Sequence, residues 1–193
     1  MDDKKLSDLS YEDMEKIIEE MAASRTSADD SSEQTGNKHK FKVLKTYLVL
    51  DESYKQNIVF SKICWGNFER YDLRRWDKSL SIPYKGITFS IEELSKFLNI
   101  KKPSYNTQEA IATYSAGRAN AYIYETILEL SQSNSRGVNW IKQICLVDWG
   151  NGKKFDIRKW TKNFDRCSKG ICLNAKAFAA FYNSVLEILR EEK

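Results

Sequence analysis

The sequence predicts an α+β fold built from two tandem β-β-β-β-α modules, and three observations support this prediction. Motifs recur at one fixed offset, strand-like segments precede a helix in each copy, and each helix begins at a recognisable cap. Trp65-Gly66-Asn67 recurs as Trp149-Gly150-Asn151, and Lys85-Gly86-Ile87 recurs as Lys169-Gly170-Ile171, each 84 residues later. Several motifs at one offset indicate a duplicated module.

The strand predictions rest on composition and alternation. Residues 41–50 and 122–130 are rich in β-branched and aromatic side chains and predict the first strand of each copy. Residues 58–65 and 140–149 predict the second strand in the same way. The turn Asn151-Gly152 is a strong hairpin signal that leads into the third strand of the second copy.

The third strand has two chemically different faces. Asp72, Arg74 and Trp76 alternate with Tyr71, so the charged pair and the indole share one side of the strand. A short fourth strand is expected to begin near Lys85, and its counterpart follows Lys169 in the second copy.

Helix caps follow the fourth strand in both copies. Ser90 and Glu93 form a capping box that begins a helix ending near Ile100. Asn174 is the expected cap of a longer helix. The apolar side of that helix consists of Phe178, Phe181, Tyr182, Val185, Leu186 and Leu189.

Composition divides the chain into four segments. They are an acidic, largely disordered arm (1–38), a first copy (39–100), a linker (101–120) and a second copy (121–193). A short helix capped by Ser10, with an apolar stripe of Met14, Ile17, Ile18 and Met21, is expected in the arm. Another is expected at 107–117 in the linker, ended by Gly117. One module of about 60 residues buries little surface alone. We therefore expect the two copies to pack as an intramolecular pseudo-dimer of antiparallel sheets, in a monomeric chain rather than a homodimer.

Charge is distributed unevenly along the chain. Residues 1–34 contain eleven acidic and four basic residues, whereas the rest contains 16 acidic and 27 basic residues. An acidic arm beside a basic body indicates a polyanionic partner for the body. The alternative is that the surplus lysines only maintain solubility. No apolar run is long enough for a membrane helix and no export signal precedes the arm, so we expect an intracellular protein: cytoplasm or nucleoid in a bacterium, nucleus in a eukaryote.

Residues for catalysis or metal binding are scarce, so we expect no enzyme, no metal and no cofactor. His39 is the only histidine, which disfavours a histidine-based triad. Cys167 and Cys172 have no companion pair for a zinc site, and the four cysteines are expected to be reduced. Asp72 and Asp156 are the only candidates for a nuclease pair, but an arginine two residues after each favours a structural ion pair.

The same strand face suggests nucleic-acid binding. An arginine two residues before a tryptophan places a phosphate contact beside a stacking surface, which a single strand requires. The alternative is that the tryptophans belong to the core between the copies. The candidate binding residues are Trp65, Arg70, Arg74, Trp76, Lys85, Trp149, Lys153, Lys154, Arg158, Trp160 and Lys169.

These motifs resemble the transcriptional positive-cofactor-four family. Asp72-Leu73-Arg74-Arg75-Trp76 and Asp156-Ile157-Arg158-Lys159-Trp160 are each followed, nine residues after the tryptophan, by Lys-Gly-Ile and then by a helix. The resemblance implies a four-stranded antiparallel sheet with a helix that dimerises and binds single-stranded or unwound DNA with weak sequence preference. It covers roughly residues 40–100 and 121–190, and the second copy is the closer match.

The resemblance also implies roles by position. It assigns the hairpin aromatic to Trp149 and Trp65, the strand arginine to Arg158 and Arg74, the following aromatic to Trp160 and Trp76, and the lysine to Lys169 and Lys85. The hairpin lysines are displaced to Lys153 and Lys154, and the second copy is expected to dominate binding. The resulting hypothesis is a non-enzymatic, coactivator-like single-stranded DNA-binding protein of transcription regulation, with the transcription machinery as a further partner. The alternatives are an RNA-binding protein and an interaction scaffold whose tryptophan faces are buried in an oligomer.

Overall fold

The computed structural model describes residues 41–51, 53–100, 108–117 and 119–192. Within these ranges the protein is an α+β fold with two antiparallel sheets, of four and five strands, and two α-helices. The helix and the disorder predicted for the acidic arm lie outside the described residues. No helix of the described ranges is long and apolar enough to cross a membrane.

The first sheet is a meander in chain order. Its strands are β1 (Phe41–Asp51), β2 (Gln56–Trp65), β3 (Phe68–Asp77) and β4 (Pro83–Phe89). The helix predicted after Ser90 is present as α1 (Ile91–Ser95), and a short 3-10 helix (Lys96–Asn99) continues it. The capping box is confirmed, because Ser90 accepts from the Glu93 backbone N–H and the Glu93 carboxylate accepts from the Ser90 N–H.

The second sheet repeats this meander and adds a strand at its edge. Its strands are β5 (Ala112–Ala116), β6 (Ala119–Ser135), β7 (Val138–Asp148), β8 (Lys153–Trp160) and β9 (Ile171–Leu173). Helix α2 (Ala175–Glu191) follows, with the Asn174 side chain accepting from the Ala177 N–H as its cap.

The helix expected at 107–117 is wrong, because strand β5 lies there. Gly117 has φ +60° and begins the tight turn between Ala116 and Ala119, where it was expected to end a helix. Pairing with β6 satisfies the backbone groups of β5 that face the sheet. Alternation along β5 places Ala112 and Tyr114 against the aromatic side of the sheet. The segment expected to be a linker therefore contributes an edge strand and the start of β6.

Irregular backbone features recur in both copies at equivalent places. β1 is bulged between Val43 and Lys45, and β6 is bulged between Ile123 and Glu125, which is an offset of 80. Beyond the first hairpin the offset becomes 84, because the β6–β7 hairpin is longer. Leu80 and Phe164, 84 residues apart, have positive φ angles of 55° and 58°.

One apolar core lies between the two sheets and draws on both copies. Phe181 of α2 packs edge-on against Phe60 of β2, with ring centroids 4.8 Å apart. In the opposite direction, Glu93 of α1 forms a buried ion pair with Lys142 of β7 at 2.7 Å. The helix of each copy therefore contacts the sheet of the other.

Candidate nucleic-acid interface

Two buried ion pairs occupy the strand face that was predicted to bind phosphate. Arg74 Nε donates to Asp72 at 2.7 Å, and Arg158 Nε donates to Asp156 at 2.5 Å. Both carboxylates are completely buried and both arginine side chains are nearly so. The prediction of structural ion pairs at Asp72 and Asp156 agrees with this geometry. Because their guanidinium groups neutralise buried carboxylates, this geometry does not favour the phosphate-binding role predicted for Arg74 and Arg158.

The glycine of each Lys-Gly-Ile motif makes room for these arginines. A Cβ atom built on Gly86 would lie 2.9 Å from Arg74 Cβ, and one built on Gly170 would lie 2.5 Å from Arg158 Cβ. Both approaches are closer than packed side chains allow. The Asp-x-Arg and Lys-Gly motifs therefore keep their spacing because they form one packed unit.

In the second copy an aromatic cluster covers this unit. We call Tyr114, Trp149, Arg158, Trp160 and Phe164 the second aromatic cluster. The indoles of Trp149 and Trp160 stack with centroids 6.1 Å apart, and the Arg158 guanidinium lies 4.4 Å from the Trp149 ring. Tyr114 of β5 packs edge-on against both indoles. Trp160 is 0% exposed, so its assignment as a base-stacking residue is wrong.

Trp149 is only partly available. It is half-buried, and its Nε1 donates to Asp156 at 3.1 Å. The hairpin aromatic of the second copy thus folds back onto the ion pair and helps to satisfy the buried carboxylate. This packing does not favour the prediction that the second copy dominates binding.

The first copy arranges the equivalent side chains differently. We call Phe41, Trp65, Arg74 and Trp76 the first aromatic cluster. Phe41 takes the place over the arginine, 4.5 Å from the guanidinium, and stacks on Trp65 with centroids 5.5 Å apart. Trp76 is only 8% exposed, so its stacking role is also corrected. Trp65 remains 39% exposed.

The buried indoles of the two copies share an unusual property. Trp76 Nε1 and Trp160 Nε1 are buried and have no hydrogen-bond partner among the residues that the structure describes. Unpaired buried N–H groups are unfavourable. The two tryptophans therefore contribute through the packing of their rings, which agrees with a role in the core.

The predicted lysines lie together even though they come from different copies. Lys85 of β4 and Lys169, just before β9, are exposed and line one cleft of about 690 Å³, the basic cleft. An Arg75 guanidinium N–H donates across the boundary to the Gly170 carbonyl at 3.4 Å. The remaining lining residues are Gln56, Arg74, Tyr84 and Gly86.

The other predicted cations lie apart from this cleft. Arg70 is exposed beside the β2–β3 hairpin, where it donates to the Glu69 carbonyl at 2.9 Å. Lys153 and Lys154 are half-buried, and the Lys153 ammonium lies 4.2 Å from the centre of the Tyr124 ring. These three are not part of the basic cleft.

The cysteines near the second ion pair belong to its hydrogen-bond network. Cys172 donates to Asp156 at 2.9 Å, and burial together with the Asp156 charge raises the pKa of this thiol to about 12. Arg158 also contacts Cys167 at 3.5 Å. Burial raises the pKa of Cys145 to about 12 as well. Among the described residues no three side chains of metal-binding type converge.

Three residues of these surfaces were not anticipated from the sequence. Tyr84 is 44% exposed in the basic cleft, and Tyr114 and Phe41 cover the two ion pairs. Tyr84 directly precedes the Lys-Gly motif, which was an available signal. Tyr114 lies in a strand that was not predicted, and no sequence signal pointed to it.

Comparisons of the chain with protein-family models, curated proteins and solved structures find no match.

Proposed function

We propose that the protein binds single-stranded nucleic acid, with weak sequence preference and without enzymatic activity, in the basic cleft. The observation that supports this most directly is the meeting of Lys85 and Lys169. They are equivalent residues of two copies, separated by 84 positions, and both project into one open cleft. Two ammonium groups in one cleft suit successive phosphates of a strand.

The cleft also offers aromatic and neutral polar groups. Tyr84 provides a half-exposed ring on which a base stacks, and such stacking tolerates any base. Gln56 provides an amide beside the lysines. Because Arg74 is bound to Asp72, the cleft depends on its lysines and on Arg75 for positive charge.

The first copy supplies a second aromatic surface at its β2–β3 hairpin. Phe68 is 68% exposed and Trp65 is 39% exposed, and they are opposite each other across the turn. Arg70 is close along the same strand. A strand that leaves the basic cleft over the first sheet meets these rings, so we assign the larger stacking contribution to the first copy.

In this proposal the two copies form an intramolecular pseudo-dimer. The exchange of helix contacts supports it, with Phe181 against Phe60 in one direction and Glu93 with Lys142 in the other. The recurrence of bulges and of positive φ angles in both copies supports the duplication itself. The chain then needs no second copy of itself to complete the basic cleft.

The experiment is a fluorescence-anisotropy titration with labelled oligo-dT, oligo-U and duplex DNA at several salt concentrations. Oligo-dT is expected to bind more tightly than duplex, with an affinity that falls as salt rises. Lys85→Ala and Lys169→Ala are each expected to lower the slope of log affinity against log salt by about 0.7, one phosphate of a single strand. Lys176→Ala, at the exposed start of α2, is the matched control and keeps the slope.

The outcomes separate the candidate functions. Tighter binding of oligo-U than of oligo-dT assigns the protein to RNA. The absence of binding to any oligomer contradicts the proposal and favours an interaction scaffold. A coactivator-like role in transcription rests on the motif resemblance, and contact with the transcription machinery is tested by pull-down with polymerase after binding to DNA is established.

A further inference from the structure

A second cleft, about 750 Å³ in volume, lies on the second copy alone and has a different chemistry. We call it the polar cleft. It is formed by the β6–β7 hairpin and by the loop after β8, and carbonyl, amide and hydroxyl groups predominate over charge. Its principal residues are Thr126, Glu129, Trp140, Gln143, Lys162 and Phe164.

The floor of the polar cleft contains a nearly buried polar side chain. Gln143 is only 2% exposed, and it lines the cleft together with the exposed Glu129. An amide in such a position is favourable only where its donor and acceptor find partners or water. An amide held at the floor of an open cleft is placed to form hydrogen bonds with a ligand that enters it.

The equivalent place in the first copy shows that this polarity is not required by the fold. Glu129 and Gln143 are direct cross-strand partners, and their counterparts Val49 and Val59 form the same pair in the first sheet. Two valines fill that place without any polar group. The second copy thus replaces an apolar pair by a carboxylate and an amide, side by side on one face.

The walls of the polar cleft provide aromatic side chains and a lysine. Trp140, near the tip of the longer hairpin, is half-buried in the cleft wall, where the first copy has Gln56. Phe164 closes the other side of the cleft, and Lys162 is exposed at the cleft edge. An indole for stacking, a hydrogen-bonding floor and an exposed cation are the elements with which proteins bind an unstacked base of a single strand.

We propose that the polar cleft binds one guanine of the bound strand. Guanine carries two adjacent N–H donors, at N1 and N2, which the Glu129 carboxylate accepts together, and its O6 accepts from the Gln143 amide. Thymine and uracil offer only one donor between two acceptors on the same edge, which a carboxylate disfavours. This inference rests on the proposed function and adds a base preference at one position to otherwise sequence-tolerant binding.

The test compares labelled oligo-dT of about 12 nucleotides, within the size range of single-strand sites, with the same oligomer carrying one central dG, dA, dC or deoxyinosine. The dG oligomer is expected to bind about tenfold more tightly than oligo-dT, which lies within the roughly 5- to 150-fold discrimination between bases that one bidentate contact provides. Deoxyinosine lacks the N2 amino group and is expected to lose most of this advantage.

The variants are judged by the ratio of dG to oligo-dT affinity, because removing a negative charge raises both affinities. Glu129→Gln and Trp140→Ala are expected to bring the ratio close to one. Glu187→Gln, which removes an exposed charge on α2, is the control and is expected to retain the ratio. Equal affinities for dG and oligo-dT, or a ratio unchanged by Glu129→Gln, overturn this inference and leave the proposed function standing. If no oligomer binds at all, the proposed function itself is contradicted.

Discussion

The two copies use the same Asp-x-Arg-x-Trp framework but differ in what covers it. In the second copy Tyr114, from an additional edge strand, closes over Trp149 and Trp160. In the first copy Phe41 covers the arginine instead and leaves Trp65 exposed. The motif that looks most like a binding site in the sequence is therefore the more buried of the two.

In the function that we propose, this difference assigns stability mainly to the second copy and binding mainly to the first. An ion pair sealed by aromatic rings stabilises the second sheet but presents little to a ligand. The first sheet keeps the ion pair and leaves two rings, Trp65 and Phe68, at the surface. Further along, the longer β6–β7 hairpin gives the second copy a polar cleft where the first has a pair of valines.

The largest expected effect is on stability. Trp160→Ala removes a completely buried indole and is expected to lower the free energy of unfolding by about 3–5 kcal/mol. Trp65→Ala removes an exposed ring and is expected to change stability little, while binding to oligo-dT weakens by about 1–3 kcal/mol. Urea unfolding and anisotropy titration of both variants measure the two quantities. Unfolding free energies that fall equally in the two variants would contradict the contrast between the copies.

The next effect concerns the contact between the copies. Glu93→Gln leaves the buried Lys142 ammonium without its counter-charge and is expected to cost about 3 kcal/mol of stability. Glu92→Gln, on the exposed side of the same helix turn, is the control in the same urea titration. A cost no larger than that of the control would show that this ion pair does not join the copies.

The same pair predicts a pH dependence. Burial raises the pKa of Glu93, but hydrogen bonds from Lys142 and Ser131 and the Lys142 charge outweigh burial and hold it below its usual 4.5. Because the folded-state pKa is lowered, the stabilisation is complete above pH 4.5 and is lost as pH falls below it. Thermal unfolding from pH 7 to pH 3 should show a smaller loss for Glu93→Gln than for the wild type. Parallel curves would exclude this carboxylate as a source of the acid sensitivity.

A smaller effect distinguishes the two glycines. An added Cβ would lie 2.6 Å from the Ile157 carbonyl at Gly170, but 3.1 Å from the Leu73 carbonyl at Gly86. Gly170→Ala is therefore expected to destabilise by about 1–3 kcal/mol, through forced shifts of a packed strand, and Gly86→Ala by less. Equal losses of stability in differential scanning calorimetry would show that the arginine side chains shift equally easily in both copies.

The sequence predicted those parts of the fold that local chemistry determines. The capping box at Ser90, the Asn174 cap and the hairpin at Asn151-Gly152 are confirmed because each depends on a few adjacent residues. Strand β5 was missed because its edge position depends on pairing with β6 and on Tyr114 meeting distant tryptophans. Propensity within the segment does not contain that information.

The candidate binding surface was harder to predict for the same reason. Alternation correctly placed Asp72, Arg74 and Trp76 on one face, but it does not say whether that face is covered. Lys85 and Lys169 lie in one cleft only because of how the two copies pack against each other, which the sequence does not show. The polar cleft depends on a hairpin length that the 84-residue offset did not reveal, since the first strands are related by 80 residues.

The central claim, that a single strand lies in the basic cleft and over the first copy, is tested most directly by photo-crosslinking. Oligo-dT substituted with 5-iododeoxyuridine is irradiated in complex with the protein, and the modified peptides are identified by mass spectrometry. Adducts are expected at Tyr84, Trp65 and Phe68, the exposed aromatic residues on this path. Adducts confined to Tyr54, which is 82% exposed outside the path, or to Trp149 of the second copy, would contradict the claim.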